Sequence, residues 1–198
     1  MSQSVTPATA FAWWRTFAAS RAALVVVGAW GFAEAIAWPI IPDFIILPLA
    51  LAVPSRWFAF ALAALAGSLS GGLVSYLLGA TAPGPYLLDV APLVTDSMKD
   101  GARSALHDDG ALGLMAQPLS GIPYKVFAYQ AALAGVGIIE YAVLSAVVRG
   151  SRFLAVALVG AVAGKLLRKW WERFWPWFCV LYCAAFLIGL SRVVAGWQ

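Results

Sequence analysis

Between Phe32 and Val53 the chain reads FAEAIAWPIIPDFIILPLALAV, an apolar run that holds Glu34 and Asp43 with Pro39 and Pro42 between them. A soluble core rarely buries two carboxylates so close together without partners. A plain membrane helix rarely carries two prolines and an acid near its middle. Whatever backbone carries this stretch must break inside it and must find counter-charges for it.

Composition says which solvent that backbone meets. The 198 residues are 63% hydrophobic and only 11% charged, with a mean hydropathy of +0.85. No ordinary soluble domain is this apolar, so an all-α integral membrane protein is expected. The net charge of +4 is small, and the cations flank apolar runs instead of forming a stripe, which excludes a nucleic-acid face. Cys179 and Cys183, four apart in an apolar run, read as small hydrophobes. A single His107 and the lack of a Cys/His cluster predict neither a metal centre nor a cofactor. The start carries Arg15 and Arg21 ahead of an apolar run but no small-residue cleavage site after it, so no cleavable signal peptide is expected.

Residues 1–21, with Phe11, Trp13, Trp14, Arg15 and Phe17, suit an interfacial helix. Ala22–Trp38 is apolar except for Glu34 and reaches roughly 25 Å as helix, marginal for a hydrocarbon core of about 30 Å. Phe44–Val53 reaches only about 15 Å and is too short to span. A re-entrant helical hairpin satisfies both lengths, its tip running from Pro39 to Asp43 and its ends emerging on one side. Non-helical backbone at that depth is tolerated only against protein or a water-filled cavity, so the tip is a functional candidate. Trp57–Ala80 follows as a spanning helix with a small-residue face of Gly67, Gly71, Gly72 and Gly79, completing a first repeat over residues 22–80.

Residues 81–109 form a polar loop carrying five aspartates, within which Ser97–His107 suits a short surface helix. Its Asp100-Gly101-Ala102-Arg103 string lacks the acid spacing of an alcohol phosphatidyltransferase site. Residues 110–164 then repeat the opening design. An apolar lead from Ala111 meets the Pro118–Pro123 loop, Tyr124 and Lys125 follow, and Val126–Val136 returns. The next segment spans while holding Arg149 and Arg152. Residues 165–177, KLLRKWWERFWPW, read as a basic aromatic interface belt, and 178–198 as a last spanning helix.

Ile41-Pro42 lies 81 positions before Ile122-Pro123, and at that offset Leu77-Leu78-Gly79-Ala80 meets Leu158-Val159-Gly160-Ala161. Two hairpins, each followed by a crossing helix, place Arg15, Arg21, Arg56 and the 165–173 cations on one side and the acidic loop on the other. By the positive-inside rule the N-terminus is then cytoplasmic. The hairpins enter from opposite faces, as in inverted-repeat transporters with sites at the midplane. The charges at depth are Glu34 and Asp43 on one hairpin, Lys125 on the other, and Arg149 and Arg152 on the second crossing helix. Mutual pairing is expected, because an unpaired charge at depth is expensive. Cations converging with broken-helix N-termini also make a site for a phosphate, and acids beside it suit proton coupling.

These residues resemble a known family. Glu34 with Trp38-Pro39-Ile40-Ile41-Pro42-Asp43 and Leu47-Pro48-Leu49-Ala50-Leu51 is similar to the first-hairpin motif of YqaA-like members of the DedA (VTT, or SNARE-associated Golgi) superfamily. Ile122-Pro123-Tyr124-Lys125-Val126-Phe127 followed by Arg149-Gly150-Ser151-Arg152-Phe153 resembles the second motif. The resemblance runs from about Gly31 to Phe153. It implies an inverted-repeat protein of the bacterial inner membrane that moves lipids across the bilayer, such as a phosphate-bearing carrier or phospholipid, often with proton dependence. The better-studied branch has arginines within its second hairpin, where this chain has Lys125.

The expected partners are thus membrane lipids, through a phosphate headgroup, and protons. The site residues are Glu34, Asp43, Lys125, Arg149 and Arg152, with Pro39, Pro42, Pro118, Pro123 and Tyr124 at the hairpin tips. A small-ion or metabolite transporter using the same charges is the alternative. A membrane enzyme acting on lipid phosphates is disfavoured, because no nucleophile and base lie together at the tips, and no catalytic residue is assigned. The substrate's identity and the oligomeric state are left open.

Overall fold

A computed structural model describes residues 7–81, 83–91 and 93–195, and among these the chain is all-helical. The first six residues of the expected interfacial lead and the last three of the final helix lie outside the described residues. Helix α1 (Pro7–Ala19) meets α2 (Arg21–Ile36) at a bend of 77°. Ser20 makes the corner, its hydroxyl accepting from the Ala23 amide as an N-cap. The chain breaks after α2 at the two prolines and resumes as α3 (Asp43–Ala52), then a 3₁₀ turn (Pro54–Arg56) and α4 (Trp57–Gly79). Among the described residues three helices are long and apolar enough to cross a membrane: the one ending α4, α9 (Ile138–Leu166), and α10 (Arg168–Ala195), with a fourth span if α1 and α2 count as one. Each carries outward apolar side chains such as Leu62, Val143 and Ile188, which suits lipid as their surroundings.

The polar segment is more structured than a loop. It forms α5 (Gly84–Asp89) and α6 (Asp96–Asp109), the latter two residues longer at its end and one at its start than the surface helix expected. Met98, Ala102 and Leu106, each four apart, form a buried stripe on α6. They pack into a core with Ile122, Tyr124, Val126 and Phe127. The apolar lead into the second short helix is brief: a 3₁₀ segment (Gly110–Ala116) and one α turn, α7 (Gln117–Ser120), before α8 (Tyr124–Leu133). The apolar lead from Ala111 is thus no match in length for α2, and α6 covers α8 there. Pro118 lies inside α7 and not at the tip, whereas Pro123 is the N-cap of α8. The basic aromatic belt is likewise no separate segment. From Arg168 on it forms the first turns of α10, with Pro176 accommodated inside the helix.

The contacts fix the direction of each element. Helices α2 and α4 run parallel, Gly28 meeting Gly67 and Phe32 meeting Gly71. Arg56, just before α4, donates to the carbonyls of Ala18 (3.0 Å) and Ser20 (2.7 Å), so the chain leaves α3 at the level where it entered α2. Tyr76, near the other end of α4, donates to the Val136 carbonyl just past α8. Helix α9 starts at that far end and returns, its Gly160 and Gly164 packing on Leu47–Leu51 and Pro54. Each short helix thus leans on the long helix that follows the other one. A Cβ on Gly79 of α4 would lie 2.9 Å from Tyr129 Cα, and one on Gly160 of α9 would lie 2.8 Å from the Leu47 carbonyl oxygen. Those two glycines are 81 positions apart, the offset read from the sequence.

Candidate functional site

The break in α2–α3 and the start of α8 meet beside α9. Trp30 donates its indole N–H to the Ile40 carbonyl at 2.9 Å, tying the proline-bounded tip back onto α2. The last carbonyls of α2 have no partners within the helix and draw them from elsewhere. Ser75 of α4 donates to the Ala35 oxygen at 2.6 Å, and Lys125 of α8 donates to the Ala37 oxygen at 2.9 Å. A buried ammonium at a helix C-terminus also meets the negative end of the helix dipole.

Two ion pairs span the same region. Arg149 Nη2 donates to Glu34 Oε2 at 2.6 Å, and both side chains are at most 4% exposed. The Arg149 guanidinium also lies 4.2 Å from the centre of the Tyr124 ring and 4.9 Å from that of Phe153, so aromatic faces take the place of water around it. One turn further along α9, Arg152 Nη2 approaches Asp43 Oδ2 at 2.6 Å. That contact is one of charge and distance without hydrogen-bond alignment, and neither buried carboxylate oxygen of Asp43 has an aligned donor. Asp43 therefore keeps hydrogen-bonding capacity on both oxygens, whereas Glu34 accepts an aligned bond from Arg149.

The structure brings together all five charged positions expected from the sequence, and it separates their tasks. Both acids come from the α2–α3 break, and the three cations come from α8 and α9. Two carboxylates against three cations leave one formal positive charge at the site. A cavity of about 530 Å³ opens beside it, lined by Glu34, Trp38, Pro39, Tyr124 and Arg152 and closed on one side by Phe186 and Leu190 of α10. Past the Phe44–Phe186 contact, whose ring centres are 4.6 Å apart, lies a larger apolar groove of about 680 Å³ between α1, α3 and α10. Tyr182 closes the boundary, stacking on Phe44 and donating to the Asp43 backbone carbonyl at 3.3 Å.

Sequence reasoning missed two contributors. Gln117 is buried and lines the cavity. Its amide N–H₂ reaches the Ile122 carbonyl at 3.4 Å, which fixes the amide's orientation and leaves the Oε1 acceptor without a partner. Its signal was an amide directly before Pro118 in an otherwise apolar stretch. Tyr141 donates to the Tyr124 hydroxyl at 2.7 Å and stacks on it, holding the ring that faces Arg149. Among the described residues no group of acids, histidines and cysteines is placed to hold a metal ion.

The chain is similar to a protein of Haemophilus influenzae described as uncharacterized, 29% identical over 139 residues that cover 68% of this chain and 70% of that one. No family model matches the chain. No solved structure matches it.

Proposed function

We propose that this protein is a multi-pass transporter of the bacterial inner membrane, related to the DedA/VTT superfamily, that translocates or scrambles a phosphate-bearing lipid. One observation carries the reading: a buried ion pair, a second half-buried one and a third cation, gathered where two broken-helix tips meet, border a cavity that adjoins an apolar groove. The convergence of Lys125, Arg149 and Arg152 and the unused donors of Arg152 suit a phosphate. The neighbouring groove suits the hydrocarbon chain of the same molecule, which favours a lipid over a small ion. The reciprocal packing of α3 on α9 and α8 on α4, with glycines 81 apart, supports an inverted repeat of two re-entrant hairpins. The cations at the α1, α9 and α10 ends support a cytoplasmic N-terminus. Glu34 and Asp43, the two acids of the site, are the groups offered for coupling protons to movement of the lipid.

The test is flux of a headgroup-labelled phospholipid in proteoliposomes at two pH values. Wild-type protein is expected to move lipid, and monodisperse Arg152→Ala and Lys125→Ala proteins are expected to move it at least tenfold more slowly. Wild-type rates in those folded variants would refute the assignment of the site. Ion flux without lipid movement would replace the lipid by a small ion, and product release from a lipid phosphate would revive an enzyme.

A further inference from the structure

A second cluster of cations lies away from the central site, where α1, α9 and α10 converge at the end of α3. Arg15 of α1, Lys165 in the last turn of α9 and Arg168 in the first turn of α10 line one pocket of about 330 Å³. Phe11, Leu51, Ala52 and Pro54 form its apolar wall, and Ser55 adds a hydroxyl. Lys165 and Arg168 flank the junction of α9 and α10 within one basic run, and the fold brings Arg15, 150 residues before Lys165 in the chain, to join them. The close seat of Gly164 on Leu51 fixes the α9 end against α3, and the Trp171 indole, donating to the Ala163 carbonyl at 3.1 Å, fixes the start of α10 against α9.

The acid that answers these cations is Glu172, 3.6 Å from the Arg168 Nε and half-exposed. Such a pair contributes little and engages a single edge of a guanidinium that has five N–H donors. Like charges held around one pocket repel, and an anion placed among them removes that repulsion. The apolar wall, the ends of membrane-length helices and the nearby indoles place the pocket at headgroup level, where basic pockets between helices receive lipid phosphates.

We propose that Arg15, Lys165 and Arg168 form a binding site for the phosphate headgroup of an anionic phospholipid, distinct from the central cavity and occupied by a resident lipid and not by the transported one. The site rests on its own geometry, so it stands or falls independently of lipid movement. The test is binding of phosphatidylglycerol and of phosphatidylcholine to the full chain in detergent, read by native mass spectrometry. Phosphatidylglycerol is expected to be retained preferentially. Lys165→Ala and Arg168→Ala are each expected to weaken its binding about fivefold, as for roughly 1 kcal/mol per cation near an anionic surface. Lys169→Ala, which neutralises a neighbour outside the pocket, is expected to change it less than twofold, and Lys165→Arg to retain binding.

Equal losses for Lys169→Ala and Lys165→Ala would overturn the proposal in favour of diffuse surface charge. Equal retention of phosphatidylcholine would overturn it as well. Displacement of phosphatidylglycerol by millimolar inorganic phosphate would reassign the pocket to a soluble anion. The three positions are exposed, so unfolding temperatures unchanged within a few degrees are expected for all variants, and a binding loss with an unchanged unfolding temperature separates the site from stability.

Discussion

The Glu34–Arg149 pair shows how one residue can hold a fold in place while serving a site. Both side chains are out of contact with solvent, so removing one partner leaves the other charge buried and uncompensated. Arg149→Ala is expected to cost about 3–5 kcal/mol of stability, and Glu34→Gln in the same protein to recover part of that loss, as measured by unfolding in detergent. Arg152→Ala is expected to cost less, because its side chain is 27% exposed and its contact with Asp43 is not aligned as a hydrogen bond. Charges at membrane depth betrayed these residues in the sequence, since each needed an explanation. The pairing itself was not legible there. Nothing in the residue order says that Arg149 meets Glu34 while Arg152 meets Asp43, or that Lys125 reaches a backbone carbonyl at the end of a helix. Gln117 escaped notice for the opposite reason, being neutral and therefore unremarkable until its unpaired oxygen is seen beside the cavity.

At the scale of elements, lengths and breaks were readable. The two prolines ended α2 and preceded α3, and the short reach of Phe44–Val53 ruled out a span. Where the second segment departs from the first, the cause lies in the polar stretch before it. Helix α6 presents Met98, Ala102 and Leu106 to α8 and covers it where α2 has no counterpart of its own length. Leu106→Ala is therefore expected to cost about 2–5 kcal/mol although it sits among aspartates and lysine, and loss of unfolding temperature measures it. The same helix is tethered to α5 by Lys99, which contacts Asp89 and Asp96 at 2.6 and 2.5 Å. The hydrogen bond from Lys99 holds the Asp96 carboxyl below its usual 3.8, and the bonds that Lys99 donates to Asp89 and Asp96 hold its ammonium above its usual 10.5. A depressed carboxylate contributes above its unfolded value and loses that contribution as pH falls through the folded one. A raised ammonium contributes below its unfolded value and loses it as pH rises through the folded one. Amide exchange in residues 84–109, corrected for intrinsic rate, is thus expected to accelerate below about pH 4 and above about pH 10.5. The spanning helices are expected to stay protected at both limits.

For the molecule as a whole, the offset of 81 was visible as a weak identity and gains weight from packing. Gly79 and Gly160 occupy matching positions, each admitting the backbone of a short helix from the other half. Gly160→Leu is expected to separate α3 from α9 and abolish monodisperse protein in size-exclusion chromatography, whereas the same change at Gly189, whose added Cβ meets nothing within 4 Å, is expected to leave the protein monodisperse.

That exchange of partners between halves also sets an order of events during biosynthesis. Glu34 emerges 115 residues ahead of Arg149. At about 5–20 residues per second the acid waits on the order of ten seconds for its counter-charge. During that interval α2 and α3 have neither α9 to lie against nor a cation to answer Glu34, so they are not yet a folded unit. A chain stopped at residue 136 is therefore expected to be cleared within minutes in a pulse-chase experiment. Supplying residues 137–195 as a second polypeptide is expected to rescue it, since what the first half lacks is a partner to meet and not an instruction of its own.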